Sequence, residues 1–248
     1  MRISLKMAVS LCLAAVFAFA ASQCRAQESA KTPKAPKTAK PKAGKPAKGA
    51  KEKTMEQTQG PSPALMDPSL AKDKAPDLFK AQFTTTKGDF VVEVHRDWSP
   101  NGADRFYNMV KVGYYGNDVS FFRAIENFMV QFGITGDPKI NAHWREATIM
   151  DDSGAGQSNQ RGFLTFAKSG NPNSRSTQVF INFKDNSFLD SQGFTPFGKV
   201  VKGMEVVDSL YKGYADTPDQ GRVQLEGTAY LKKELPNLDY IKSAKLVK

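Results

Sequence analysis

Phe121-Phe122-Arg123-Ala124-Ile125-Glu126-Asn127-Phe128-Met129-Val130-Gln131-Phe132-Gly133 sets an arginine on a short apolar strand, then returns with Phe128, Met129 and Gln131 on the next. In strand alternation Arg123 shares a face with Phe121 and Ile125, so a charge stands among side chains that prefer burial. From these residues alone, such an arginine pairs with a core carboxylate, reaches solvent along its stem, or serves a site. The sequence on either side continues in the same manner. Short apolar runs at Val119 to Ile125, Phe128 to Ile134, Gly162 to Ala167, Gln178 to Phe183 and Pro196 to Val201 are separated by Gly, Asn, Asp and Pro clusters. Upstream, Phe79, Ala81, Phe83 and Thr85 alternate, Lys87-Gly88 marks a tight turn, and Phe90, Val92 and Val94 alternate again, which reads as a hairpin. Ser99-Pro100 opens a helix with Ala103, Phe106, Tyr107 and Val110 along one stripe. A second helix follows Gly203 with Met204, Val207 and Leu210 on one face, and a strand near Tyr240 to Val247 closes the chain. Many short strands with two good helices predict a closed or nearly closed antiparallel barrel with helices outside.

Few other constellations carry chemistry. His95 falls on the solvent-side beat of a strand and His143 in a polar loop, a poor basis for a metal site. Asp151, Ser153 and Gly156 have the start of a calcium loop, but Gly162 stands where its twelfth-position glutamate belongs. The stretch reads as a plain surface loop, and the adjacent Asp151 and Asp152 make a poor acid and base pair. A Walker loop, a dinucleotide fingerprint and a G-x-S-x-G elbow are all missing, so no nucleophile is marked. No metal and no cofactor is expected.

Two further blocks accompany the first: Gly162-Phe163-Leu164-Thr165-Phe166-Ala167 with Asn171-Pro172-Asn173 and Ser176-Thr177-Gln178-Val179-Phe180-Ile181, and then Phe188-Leu189-Asp190 leading to Phe197-Gly198-Lys199-Val200 and Gly203-Met204. Together they resemble the cyclophilins, peptidyl-prolyl cis-trans isomerases, whose F-H-R strand is followed by F-M-x-Q-x-G. The resemblance runs from about Leu78 to Val247 with the blocks in the family's order. It implies a mostly β fold: a closed eight-stranded antiparallel β-barrel capped by two α-helices. It also implies rotation of X-Pro bonds in unfolded or newly exported proteins, by a monomer that needs no cofactor. By the same resemblance Arg123 is the catalytic group, with Phe128 and Gln131 beside it. Met129, Phe180 and Leu189 complete the proline pocket, and Ala167, Lys168, Ser169 and Gln178 line the groove for the peptide backbone.

Four departures from the family pattern stand out. Phe122 replaces the histidine before the arginine and is expected to be a packing change. Phe188 stands where eukaryotic members often have tryptophan, which implies weak cyclosporin binding. Phe194 stands near a pocket histidine, and Ala167-Lys168-Ser169 replaces Ala-Asn-Ala. The competing expectation is a cyclophilin-like module that binds proline peptides without appreciable turnover.

Charge argues against a nucleic-acid partner. The net charge is +10 over 248 residues, yet residues 31–53 hold nine lysines against Glu52, and from residue 54 onward acids and bases balance. The folded part therefore exerts no overall pull on polyanions. Arg2 and Lys6, the apolar stretch Met7 to Ala21 and the exit at Ala26 describe a secretory leader over residues 1–26. The alternatives are acylation at Cys24 or an uncleaved anchor. Residues 27–77 read as a disordered Lys/Ala/Pro-rich linker, since Lys31 to Lys53 contains nothing large and apolar to bury. A weak, salt-sensitive contact with an anionic envelope surface is expected of it. Residues 78–248 are left as the folded domain of an exported protein, periplasmic or at the cell envelope. Both cysteines, Cys12 and Cys24, lie in the leader, which leaves the rest of the chain without a disulfide or a thiol nucleophile.

Overall fold

Alternating burial along Leu78–Thr85 (β1) and Asp89–His95 (β2) turns Phe79, Ala81, Phe83, Phe90, Val92 and Val94 inward. The two strands pair antiparallel from Leu78 opposite His95 to Thr84 opposite Asp89, and Phe83 stacks on Phe90 at 5.0 Å between ring centroids. A computed structural model describes residues 61–248, and the leader and the lysine segment fall outside these residues. Six more strands join the hairpin: β3 (Arg123–Ile125), β4 (Met129–Phe132), β5 (Phe163–Phe166), β6 (Val179–Asn182), β7 (Pro196–Lys202) and β8 (Ile241–Val247). All pair antiparallel in the order β3-β4-β6-β5-β7-β2-β1-β8.

This order corrects the expectation of a closed barrel, because β3 and β8 are edges. Where closure would occur there is one isolated bridge, Ser120 with Tyr240, flanked by Phe121 N–H to Asp239 O at 3.0 Å and Ile241 N–H to Val119 O at 2.9 Å. The reason lies in consecutive residues that belong to different clusters. Phe121 is in the main core and Phe122 in a second apolar cluster, while Ile125 packs with Met129 and Phe180 in a third. Strand alternation therefore begins at Arg123, and Phe121 does not share its surroundings as the simple alternation predicted.

The expected helices are α1 (Pro100–Lys111) and α3 (Met204–Asp208). Three more correct the count of two: α2 (Pro138–Glu146), α4 (Gln220–Glu226) and α5 (Thr228–Glu234). His143 thus lies in the last turn of α2 and not in a loop, whereas His95 stacks on Trp98 at 4.0 Å. The α4–α5 pair joins at Gly227, whose φ of +56° suits glycine. A Cβ there would meet Gly136 O at 2.1 Å, and the next residue, Thr228, donates its N–H to that carbonyl at 2.9 Å. The helical pair is thereby docked beside the end of β4.

Two other expectations shift. Packing begins at Ser62, not Leu78: Pro63–Leu65 and Pro68–Leu70 form short 3-10 turns, Leu65 is buried in the main core, and its carbonyl accepts the Trp144 indole N–H at 3.0 Å. Ala75 N–H donates to Asp104 at 2.8 Å, and Asp73 and Asn108 exchange two hydrogen bonds. The stretch around Asp152 is no plain surface loop either. The Asp152 carboxylate accepts from Ser99 Oγ, Asn101 N and Gly102 N, and pairs with the buried Arg175 at 2.9 Å. Ser99 opens α1 without capping it through its own side chain. An aspartate far along the chain does so instead.

Candidate active site

The register of three strands assembles the site. Arg123 lies opposite Gln131 across β3 and β4, and Gln131 opposite Phe180 across β4 and β6. A cation, an amide and an aromatic ring therefore stand side by side on one face of the sheet, while Ala124, Val130 and Ile181 turn to the core. The β3–β4 connection holds Asn127 at φ +57°, the left-handed residue that a three-residue hairpin loop needs. Phe128 is fixed through its carbonyl, which accepts from Phe183 N and Asn186 Nδ2, each at 2.9 Å. Gly133 ends β4 with φ +108°. A Cβ there would sit 2.3 Å from Thr177 O, so the close approach to Thr177 and Gln178, just before β6, requires glycine.

These residues line a cleft of about 540 Å³. Arg123, Phe128, Met129, Gln131, Ala167, Lys168, Ser169, Gln178, Phe180, Leu189 and Phe194 all face it. Phe188 stands outside the lining, exposed at the rim, its ring stacked on Phe128 at 6.0 Å. Met129, Phe180 and Leu189 form the apolar floor with Ile125, Phe128, Ala167 and Phe194 against them. Phe194 meets Phe180 edge-on at 5.9 Å, and Lys168 Nζ lies 5.7 Å from the Phe194 ring centre.

A polar chain crosses the cleft beside this floor. Arg123 Nη1 donates to Gln131 Oε1 at 3.1 Å, and Gln131 Nε2 donates to Gln178 Oε1 at 2.7 Å. Arg123 Nε donates to the Asp216 carboxylate. The guanidinium is thus held at the edge of an apolar pocket, a quarter exposed, by acceptors on two sides. Such a group can donate a hydrogen bond to an atom of a peptide seated in the pocket. Among the described residues, no serine of the lining is hydrogen-bonded to a carboxylate, histidine or lysine that could activate it.

Several residues that shape the site carried no signal in the sequence. Arg145, Asp216, Gln220 and Gln224 reach the cleft from α2, the turn before α4, and α4. Behind the floor lies a buried amide network. Asn186 Nδ2 donates to Asn182 Oδ1 at 2.8 Å, Asn182 Nδ2 to Phe163 O at 3.1 Å, and Thr165 Oγ1 to Asn159 Oδ1 at 2.8 Å. Asn159 Nδ2 in turn donates to Asp190 Oδ1 and Phe194 O, both at 2.7 Å. Burial alone would push the Asp190 carboxyl up, but the donors Ser158 and Asn159 outweigh it and hold it below its usual value. The network pins the 3-10 turn Ser187–Gln192 that carries Leu189.

Phe122 is fully buried among Ile134, Val223, Tyr230, Leu231, Leu235 and Leu238, beneath α4 and α5. A histidine there would lose hydration to an apolar shell. Phe122→His is expected to lower stability by about 1–3 kcal/mol, measured by denaturant unfolding. Unchanged stability would show that the cluster tolerates a polar ring.

Comparison with known proteins agrees with this geometry. Residues 80–228 match the family model described as cyclophilin type peptidyl-prolyl cis-trans isomerase/CLD. A peptidyl-prolyl cis-trans isomerase of Acinetobacter baylyi is 36% identical over 133 residues, 52% of this chain and 70% of that protein. Peptidyl-prolyl cis-trans isomerase B of Escherichia coli is 34% identical over 140 residues, 54% of this chain and 84% of its own length. A cyclophilin type isomerase of Cryptosporidium parvum superposes with a TM-score of 0.51 at 22% identity, covering 69% of this chain and 98% of that one.

Proposed function

The chain belongs to the cyclophilin-type peptidyl-prolyl cis-trans isomerases, and from that premise we propose that Arg123 turns X-Pro bonds in unfolded, exported polypeptides by donating a hydrogen bond to the prolyl nitrogen. One observation carries this reading: the guanidinium is held at the lip of the pocket formed by Phe128, Met129, Phe180 and Leu189. Amide resonance sets a rotation barrier of about 18–20 kcal/mol, and uncatalysed isomerisation takes about 10–100 s. A turnover of about 10³ s⁻¹ requires the barrier to fall by about 6 kcal/mol. In the twisted amide the nitrogen lone pair has left conjugation and accepts a hydrogen bond; in the planar ground states it offers little. A donor fixed where that nitrogen sits binds the transition state selectively. The apolar floor holds the ring and keeps water from competing. Gln131 and Gln178 tie the donor to the strand that bears Phe180. The solved Cryptosporidium parvum cyclophilin-type isomerase was also crystallised in the presence of the dipeptide Ala-Pro.

The client class is proposed from the leader pattern of residues 1–26, since exported chains fold after translocation and their X-Pro bonds must reach native isomers. The lysines from Lys31 to Lys53 would add a weak hold on an anionic envelope surface. The test is the refolding of a protein whose slow phase is set by X-Pro isomerisation, with the full chain added in catalytic amount. Acceleration of that phase is expected. Proline-peptide binding without acceleration would replace this reading with that of a binding module.

A second expectation concerns the rim. Phe188 offers an exposed ring against Phe128, and Phe188→Trp enlarges that surface and adds an N–H donor. Cyclosporin should bind about tenfold more tightly, a gain of about 1.4 kcal/mol, in a titration of intrinsic fluorescence. Unchanged or weaker affinity would remove Phe188 from the ligand surface.

A further inference from the structure

Of the five N–H bonds of a guanidinium, Arg123 commits Nε to Asp216 Oδ1 and one on Nη1 to Gln131 Oε1, which leaves three on Nη1 and Nη2. The two anchors come from distant parts of the chain. Gln131 is the cross-strand neighbour, whereas Asp216 lies 93 residues beyond Arg123, in the turn before α4. One acceptor leaves a planar fork free to swing about the shared hydrogen bond. Two acceptors at different edges fix its position and its plane.

The turn that presents Asp216 is constrained. Ala215, immediately before it, has φ +47°, a conformation that residues with a Cβ adopt uncommonly. Ala215 N–H donates to Lys212 O at 2.9 Å, and Thr217 N and Oγ1 donate to Tyr214 O at 2.9 and 2.7 Å. The Tyr214 hydroxyl accepts from Asn237 N at 3.3 Å, which ties the turn to the segment after α5. More than half of the Asp216 side chain is exposed, yet its carboxylate faces the guanidinium across the cleft lining.

We propose that Asp216 is a positioning residue for Arg123: its carboxylate sets the plane of the guanidinium so that the uncommitted N–H bonds aim into the proline pocket. The inference rests on the reading of Arg123 as the donor. Preorganisation of this kind acts on turnover more than on substrate binding, because the donor matters only once the amide has twisted. The carboxylate side of the pair faces solvent, so salt weakens the charge part of the contact and leaves its hydrogen bond.

The experiment uses the full chain in a coupled prolyl-peptide assay, with wild type, Asp216→Ala, Asp216→Asn, Arg123→Ala and the Arg123→Ala/Asp216→Ala double variant, each checked by thermal melting. Asp216→Ala should lower kcat about 5- to 20-fold and change KM less than about twofold. Asp216→Asn, whose amide oxygen can still accept from Nε, should recover most of that loss. Added salt should lower wild-type kcat no further than the Asp216→Asn value, while the alanine variant stays flat. In the Arg123→Ala background, removing Asp216 should have no further effect. Unchanged or raised kcat in Asp216→Ala overturns the proposal while leaving the Arg123 reading intact if Arg123→Ala is inactive. An equal loss in both backgrounds also overturns it, since Asp216 would then act independently of the arginine. Full activity of Arg123→Ala would overturn the parent reading itself.

Discussion

Arg123→Ala is expected to lower kcat/KM about 10²- to 10³-fold with almost no change in stability. Removing one donor aimed at developing charge in a water-poor site costs about 3–4 kcal/mol of transition-state stabilisation, which is that factor in rate. It would be about half to two-thirds of the roughly 6 kcal/mol by which the uncatalysed barrier must fall. The remainder is left to the ring pocket, whose residues Phe128, Met129, Phe180 and Leu189 form an apolar cluster of their own. Stability should hold for a related reason. Gln131 keeps its bond to Gln178, and Asp216 returns to solvent, so the lost pair contributes at most about 1 kcal/mol. Arg123→Lys should not rescue, since an ammonium cannot engage Asp216 and Gln131 at the edges of one plane and still present donors in a fixed direction. A coupled prolyl-peptide assay alongside a thermal melt decides the matter. Equal turnover of Arg123→Ala and wild type would move catalysis away from this residue.

The sequence showed the parts of the site that obey strand periodicity and left obscure those that do not. Arg123, Met129, Gln131, Gln178 and Phe180 lie on or beside ladders whose pleat puts alternate residues on one face, and each belongs to a block with a recognisable spacing. The cleft wall built by Asp216, Gln220 and Gln224 was invisible. It comes from a turn and a seven-residue helix, and fewer than two helical turns give no periodic pattern. The departure at Phe122 was legible, but its reason was not: the six side chains that surround it lie between 12 and 116 positions away, mostly on α4, α5 and the segment after them. The closed barrel failed for a local reason. Phe121 and Phe122 enter two different apolar clusters, and the backbone before β3 meets the β8 side through the bridge of Ser120 with Tyr240 and its two flanking hydrogen bonds instead of a continued ladder. The segment from Ser62 to Ala75 read as linker because its apolar residues follow neither strand nor helix spacing; the buried Ala64, Leu65 and Ala75 and bonds to Asp104 and Asn108 hold it.

Asp152→Ala should be the most destabilising of these changes, by about 3–5 kcal/mol at neutral pH. Its carboxylate accepts from Ser99 Oγ at 2.5 Å, Asn101 N at 3.0 Å and Gly102 N at 3.1 Å, closing the open amide end of α1. A negative charge at that end also complements the helix dipole. The same carboxylate neutralises Arg175, which is 3% exposed and lies with its guanidinium carbon 5.9 Å from the Phe166 ring centre. Asp151 approaches Arg175 Nε at 3.4 Å without hydrogen-bond geometry, so it offsets only part of that charge. Truncation therefore leaves a buried cation and uncapped amides together. The pH dependence follows from the same contacts. Burial by itself pushes the Asp152 carboxyl up, but the donors Ser99, Asn101 and Gly102, with the charge of Arg175, outweigh it and hold the group below its ordinary 3.8. A carboxyl depressed in the folded state adds stability that is present above the unfolded value and is lost as pH falls through the folded one. The difference between wild type and Asp152→Ala should thus be largest near pH 6–7 and narrow as pH falls toward 3. Urea unfolding of both proteins across that range measures it. A gap below about 1 kcal/mol at pH 7, or one that does not narrow in acid, would mean that Arg175 finds another partner and that α1 does not depend on a cap supplied from 50 residues downstream.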